Sequence, residues 1–154
     1  ETFAKFYEDI GFDPIFIEKE VFNVDDKYAG RLDLLATLTE DGLGKLKPYL
    51  IGKVDDLVPG NYIIDIKTGT VYIKECAEQL AAYMGAAARL SEILETKTKC
   101  AGGLILNISR KQVDSIQVHY VSRLELVEAF DVFKASIKKW QYHKAPQWWL
   151  KQFK

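Results

Sequence analysis

Asp65 and Lys67 flank a single residue at the end of an apolar run, Gly60-Asn61-Tyr62-Ile63-Ile64-Asp65-Ile66-Lys67-Thr68-Gly69. Side chains two apart on a strand point the same way, so a carboxylate and an ammonium would share one face. That layout can hold a divalent metal beside a cation that steers a water. A second carboxylate is best sought on a neighbouring strand. Asp33 is the leading choice, in Tyr28-Ala29-Gly30-Arg31-Leu32-Asp33-Leu34-Leu35. It is an acid set in an apolar run, where a lone charge is costly. Placed near Asp65 it would be repelled unless a cation lay between them. Gly30 removes a side chain three residues earlier, which leaves room for another backbone or a substrate. Mg²⁺ and Mn²⁺ take oxygen ligands in octahedral geometry, and Mg²⁺ keeps several waters, so two carboxylates and a backbone carbonyl suffice. Lys67 would orient the attacking water, help deprotonate it and stabilise charge building on a phosphate. The metal would lower the pKa of that water and clamp phosphate oxygens. The reaction that fits is metal-assisted hydrolysis of a phosphodiester. Each residue also has a plainer reading: Asp65 and Lys67 as a solvated pair on an edge strand, and Asp33 as a satisfied strand-end acid. Short motifs taken singly decide little.

The elements that must position these groups follow from periodicity. Residues 2–9 read as a short helix with Phe3, Phe6, Tyr7 and Ile10 on one stripe, broken by Asp13-Pro14. Residues 15–23 and 28–39 read as two strands of an antiparallel hairpin, with turn chemistry at Asp25-Asp26-Lys27 and an end at Glu40-Asp41-Gly42. Residues 43–60, with Pro48, Pro59 and several glycines, read as a loop with one short strand or turn. Residues 62–67 form a buried strand, and 75–94 the clearest helix, rich in Ala and Leu. Residues 102–109 and 115–121 are strands joined by a turn at Arg110-Lys111-Gln112, and 124–142 is a closing helix ahead of Pro146. The order α-β-β-β-α-β-β-α predicts an α/β or α+β fold with a mixed central sheet.

Composition bounds the rest. At 154 residues the chain is one domain, 1–154, with a substantial core, and its apolar (48%) and charged (28%) fractions are those of a soluble globular protein. The net charge of −1 argues against nucleic-acid binding by bulk charge, though not against a local basic groove. No apolar run is long enough to span a membrane, and no signal-peptide pattern is present. Cys76 and Cys100 show no metal-ligand spacing, so a reducing, intracellular (cytoplasmic) setting is expected. The chain opens on Glu1 rather than Met, so a fragment, a processed form or the ordered part of a longer chain is expected.

Three segments occur in order: Gly30-Arg31-Leu32-Asp33, then Asp65-Ile66-Lys67-Thr68-Gly69, then Gln79-Leu80-Ala81-Ala82-Tyr83. Together they resemble the PD-(D/E)XK nuclease superfamily in its RecB-like branch, which carries a G-x-x-D strand, a D-x-K-T strand and a Q-L-x-x-Y helix. The match covers roughly residues 15–90. The resemblance implies a restriction-endonuclease-like mixed sheet flanked by helices. It implies metal ligation by Asp33, Asp65 and the Ile66 carbonyl, with Lys67 as the catalytic lysine and Gln79 and Tyr83 facing the site. The residues agree, because Gln79 and Tyr83 are spaced i, i+4 and lie on one helix face; their plainer reading is a surface Gln and a core Tyr. Glu18 and Glu20 precede the G-x-x-D strand and are read on one face, opposite Ile17 and Val21. Glu20 is the preferred one, either assisting the site or pairing with Arg31 or Lys67. Many RecB-like members have a His or Glu on an N-terminal helix that completes the metal site. Here Glu1 and Glu8 are available. The ligand lies upstream, or Glu8 substitutes, or the site uses fewer protein ligands. Two cysteines cannot hold the four-cysteine iron–sulfur cluster of some members, so the chain is similar to the cluster-free, phage-type exonucleases.

On the substrate side, basic residues interleave with aromatics through Lys134, Lys138, Lys139, Trp140, Tyr142, His143, Lys144, Trp148, Trp149, Lys151 and Lys154. Such a pattern can track a strand and stack bases, or it can be an amphipathic helix with buried aromatics. Lys138 and Lys139 are the DNA contacts preferred there, with Arg31 and Thr68 beside the motif, and Lys97, Lys99, Arg110 and Lys111 as loop contacts. The expected activity is a Mg²⁺- or Mn²⁺-dependent deoxyribonuclease, an exonuclease of replication, repair or recombination acting on single strands or duplex ends. A restriction-like endonuclease and a non-catalytic nuclease-fold module binding nucleic acid or protein are the alternatives. A homo-oligomer, or a replication or recombination partner, is left open.

Overall fold

The computed structural model describes residues 2–52, 54–93, 99–109 and 115–143. Helix α1 (Thr2–Ile10) leads into strands β1 (Asp13–Asn23) and β2 (Tyr28–Leu38). Helix α2 (Glu40–Leu46) and a 3-10 turn (Lys47–Tyr49) follow, then β3 (Gly60–Lys67), α3 (Ile73–Ile93), β4 (Cys100–Ile108), β5 (Ile116–Ser122) and α4 (Arg123–His143). The strands form one five-stranded sheet in the order β1-β2-β3-β4-β5. Its pairs are antiparallel except β3–β4, which the α3 crossover makes parallel. The chain is therefore an α/β domain with a mixed sheet flanked by helices. The strands and long helices agree with the sequence reading to within about two residues at each end.

Two cores lie on opposite sides of the sheet. Leu35, Ile63 and Ile105 pack under α3 and α4 with Leu80, Ala81, Ala87 and Leu126. Leu34, Ala36, Ile64, Leu104 and Leu106 pack under α1 and α2 with Phe6, Ile10, Leu43 and Leu46. A strand buried on both faces reads as a continuous apolar run, which explains Tyr62-Ile63-Ile64 and Leu104-Ile105-Leu106.

The segment 40–46, read from sequence as the end of a strand and the start of a loop, is a helix. Thr39 caps it, its hydroxyl accepting from the Gly42 N–H at 3.2 Å, with Glu40 and Asp41 in the first turn. Gly42 argues for a loop in sequence, but a Cβ there would stand 2.8 Å from the Ile10 carbonyl. The glycine serves the close approach of α1 to α2. Asp13-Pro14 likewise opens β1 rather than merely breaking α1, and β1 is an edge strand, where proline is tolerated. Glu1, Lys97, Arg110, Lys111, Lys144, Trp148, Trp149, Lys151 and Lys154 lie outside the described residues, as does the Arg110-Lys111-Gln112 turn.

Candidate active site

The site sits where β2 and β3 part. Their ladder runs from Leu38–Gly60 to Leu34–Ile64 and stops there. Had it gone one pair further, Asp33 would face Asp65. Instead the Ile66 N–H, freed of a strand partner, donates to Asp33 Oδ2 at 2.8 Å. In an antiparallel strand the N–H and C=O of one residue turn to the same side, so the Ile66 carbonyl also faces this gap.

Asp33 marks a slip in the alternation of β2. Tyr28 and Leu32 pack on the α3 side, and so does Leu35, whereas Leu34, Ala36 and Leu38 pack on the α1 side. The phase changes between Leu32 and Leu34. The β1–β2 ladder passes from Ile17–Leu34 to Lys19–Leu32 and leaves out Glu18 and Asp33 between them, and Glu18's backbone takes φ +45°, a conformation unusual for a residue with a Cβ. The same slip passes through β1, since Val21 belongs to the α3-side core while Ile17 lines a cavity with α1. The sequence reading that set Ile17 and Val21 on one face assumed an unbroken period of two, and the Glu18–Asp33 kink breaks it. Arg31 accordingly pairs with Glu18 at 2.7 Å rather than with Glu20. Glu20 is exposed opposite Arg31 in the ladder, and no contact joins it to Asp33, Asp65 or Lys67 among the described residues.

β3 keeps its period. Asp65 and Lys67 share the α3 side, and Ile66 packs toward the α1 side. Asp65 is 2% exposed. Lys67 Nζ stands 2.8 Å from Asp65 Oδ2, close enough to pair charges. Oδ2 is buried, and the ammonium beside it is the charge that compensates it. Burial pushes the Asp65 pKa up, Lys67 pulls it back, Asp33 adds to the rise, and the net shift is upward. For Lys67 burial acts downward, but the pairing with Asp65 outweighs it and the net shift is upward, so the amine stays protonated at neutral pH.

From Lys67 a relay crosses to α3. Lys67 Nζ donates to Gln79 Oε1 at 2.9 Å, and Gln79 Nε2 donates to the Tyr83 hydroxyl at 2.9 Å. The i, i+4 spacing read from sequence places both on the face that meets β3. A Cβ on Gly30 would lie 2.8 Å from Tyr83 Cε1, so the glycine of the G-x-x-D segment makes room for the tyrosine of the helix. Cys76, one turn before Gln79, is buried near the same charges; burial raises its pKa and Lys67 opposes the rise.

One residue escaped the sequence reading. Asn107 is the register partner of Lys67 on β4, and its buried Oδ1 has no donor among the described residues. The signal was present, as a lone amide in the apolar run 104–108. Other expected contacts fall elsewhere. Thr68 is exposed just past β3. Lys138 lines a depression with Asp25, Asp26 and Asp131, and Lys139 lines another with Trp140 and His143. Neither depression includes Asp33, Asp65 or Lys67.

The donor set fits a hard cation. Among the described residues no three His, Cys, Asp or Glu side chains converge as a metal cluster, although Glu8 lines the same cavity as Glu18 and Asp33. Asp33, Asp65 and the Ile66 carbonyl are oxygen donors of the kind Mg²⁺ takes, since it retains waters and asks for one or two carboxylates. The chain matches no protein-family model, and no curated protein matches it. Among the described residues no helix is long and apolar enough to cross a membrane.

Proposed function

We propose that the chain is a Mg²⁺- or Mn²⁺-dependent nuclease of the PD-(D/E)XK type that hydrolyses DNA phosphodiesters, acting on strand ends. One observation carries the reading: a buried carboxylate, Asp65, pairs with an ammonium that Gln79 holds and that Tyr83 positions through Gln79, at the opening where Asp33 faces the same gap. A solvated surface pair would need neither the burial nor the relay.

Asp33, Asp65 and the Ile66 carbonyl would hold the metal, which when bound supplies an acidified water and charge neutralisation at the phosphate. Lys67, protonated at neutral pH, donates rather than accepts. Its ammonium is aimed by Gln79, so it orients a nucleophilic water and stabilises the charge that grows on a phosphoryl oxygen. Tyr83 fixes Gln79 in turn, and Gly30 lets Tyr83 reach it. The groups are preassembled, so little reorganisation precedes reaction.

Lys67→Ala should cut turnover on the order of 10²–10³-fold while leaving Mg²⁺ binding largely intact by calorimetry. Undiminished cleavage by that variant would overturn the assignment. Comparing end-labelled linear DNA with closed circles separates the modes: cleavage of circles would replace the exonuclease reading with a restriction-like endonuclease.

A further inference from the structure

A cavity of about 610 Å³ opens on the α1 side of the site, and it shares Asp33 and Ile66 with the metal-binding groups. Its walls are apolar and aromatic: Phe3 and Tyr7 from α1, Ile17 from β1, and Leu34 and Ile66 from the sheet. Ile17 is 62% exposed, a large apolar side chain that the fold leaves uncovered. Glu8, Glu18 and Asp33 also line it, Glu18 being paired with Arg31. We propose that this cavity is a base-binding subsite, which receives one unpaired nucleobase of the strand whose phosphodiester lies at Asp33 and Asp65. The inference rests on the nuclease reading and adds to it what the substrate strand must look like.

Three observations select this occupant. The cavity adjoins the phosphodiester position through Asp33 and Ile66, so the nucleoside next to the scissile bond has somewhere to go. Glu8, the lining carboxylate that neither Arg31 nor the metal position engages, repels a phosphate but accepts hydrogen bonds from the exocyclic amino groups of cytosine and adenine. Aromatic and aliphatic walls suit a π face, and stacking tolerates sequence. The volume lies within the range of small-molecule sites. A base enters only when unpaired, so the subsite selects single strands and frayed ends over intact duplex.

The test uses a fluorescently labelled single-stranded oligonucleotide carrying one abasic residue, stepped along the sequence. Binding is read by anisotropy in EDTA, and cleavage is read separately with Mg²⁺. The wild-type chain should bind about tenfold more weakly when the abasic residue occupies one particular position. Ile17→Asp, at an exposed position that leaves the core intact, should weaken binding of the intact strand similarly and lose the dependence on that position. Equal binding of all abasic strands, with Ile17→Asp binding like the wild type, overturns the subsite. If cleavage proceeds normally in that case, the nuclease reading stands and the subsite alone falls. If the wild type shows the positional dependence but cleaves nothing with Mg²⁺ or Mn²⁺, the nuclease reading falls and the cavity remains a base site on a binding module.

Discussion

Asp65 is held between two opposing pulls, burial toward the acid and Lys67 toward the carboxylate, and burial wins. The sign of its effect on stability follows. A carboxyl whose pKa in the fold exceeds its unfolded value binds its proton more tightly when folded, so the ionised form weakens the fold at neutral pH. That penalty eases as pH falls through the raised pKa. Asp65→Asn removes that penalty but also takes Lys67's partner away, so its melting temperature at neutral pH should stay close to the wild type's while cleavage is lost; a markedly lower one would show the charge to be structural. With Asp65 as a metal ligand, as proposed, metal and proton would compete for its carboxylate, so Mg²⁺ affinity by calorimetry should fall as pH drops through the raised Asp65 value, with proton release on binding near it. Lys67 has the opposite pattern. Its pairing is fully present below the unfolded lysine pKa and is lost only as pH rises through the raised one, in the alkaline range. Activity should hold across neutral pH without loss from lysine deprotonation.

The elements that carry these residues differ in how far the sequence declares them. Asp65 and Lys67 are legible because β3 keeps a strict period of two, and Gln79 and Tyr83 because α3 keeps its helical spacing. Asp33 was legible as a misplaced acid, but its geometry was not: the slip at Glu18–Asp33 depends on pairing between strands, which no local pattern encodes. The same limit hid α2, where packing against Ile10 demands the glycine that argues locally against a helix. It also sent Arg31 to Glu18 instead of Glu20. At the ladder end, Asp33 does two jobs, accepting from Ile66 and facing the gap. Asp33→Ala should cost about 1 kcal/mol by leaving that N–H without its acceptor, whereas Asp33→Asn, which keeps an acceptor, should spare stability and lose metal binding. Thermal melts beside metal titrations separate the two effects; equal destabilisation by both variants would contradict the capping role. Gly30→Ala drives a methyl into Tyr83 and should lower turnover on the order of 10²-fold through misplacement of Gln79 and Lys67. A Gly30→Ala chain with unchanged kcat would show that Tyr83 does not position the lysine.

At the scale of the whole molecule, the sheet separates two environments and the parting of β2 and β3 joins them. The α3 side presents the charged relay, and the α1 side presents an apolar cavity. Ile66 belongs to both, offering its backbone to the gap and its side chain to the cavity wall. A cation bound to the native fold stabilises it by mass action, about 2.7 kcal/mol at a hundredfold excess over Kd. Mg²⁺ should accordingly raise the melting temperature of the wild type and leave a chain carrying both Asp33→Asn and Asp65→Asn unmoved. The most direct measurement is cleavage of end-labelled linear DNA by the wild type, Asp65→Asn and Lys67→Ala, each with Mg²⁺, with Mn²⁺ and with EDTA. The account predicts products from the wild type with either metal, none in EDTA, and cleavage slowed on the order of 10²-fold or more in the two variants, although both fold. Cleavage that persists in EDTA, or that Lys67→Ala carries out as fast as the wild type, would contradict it.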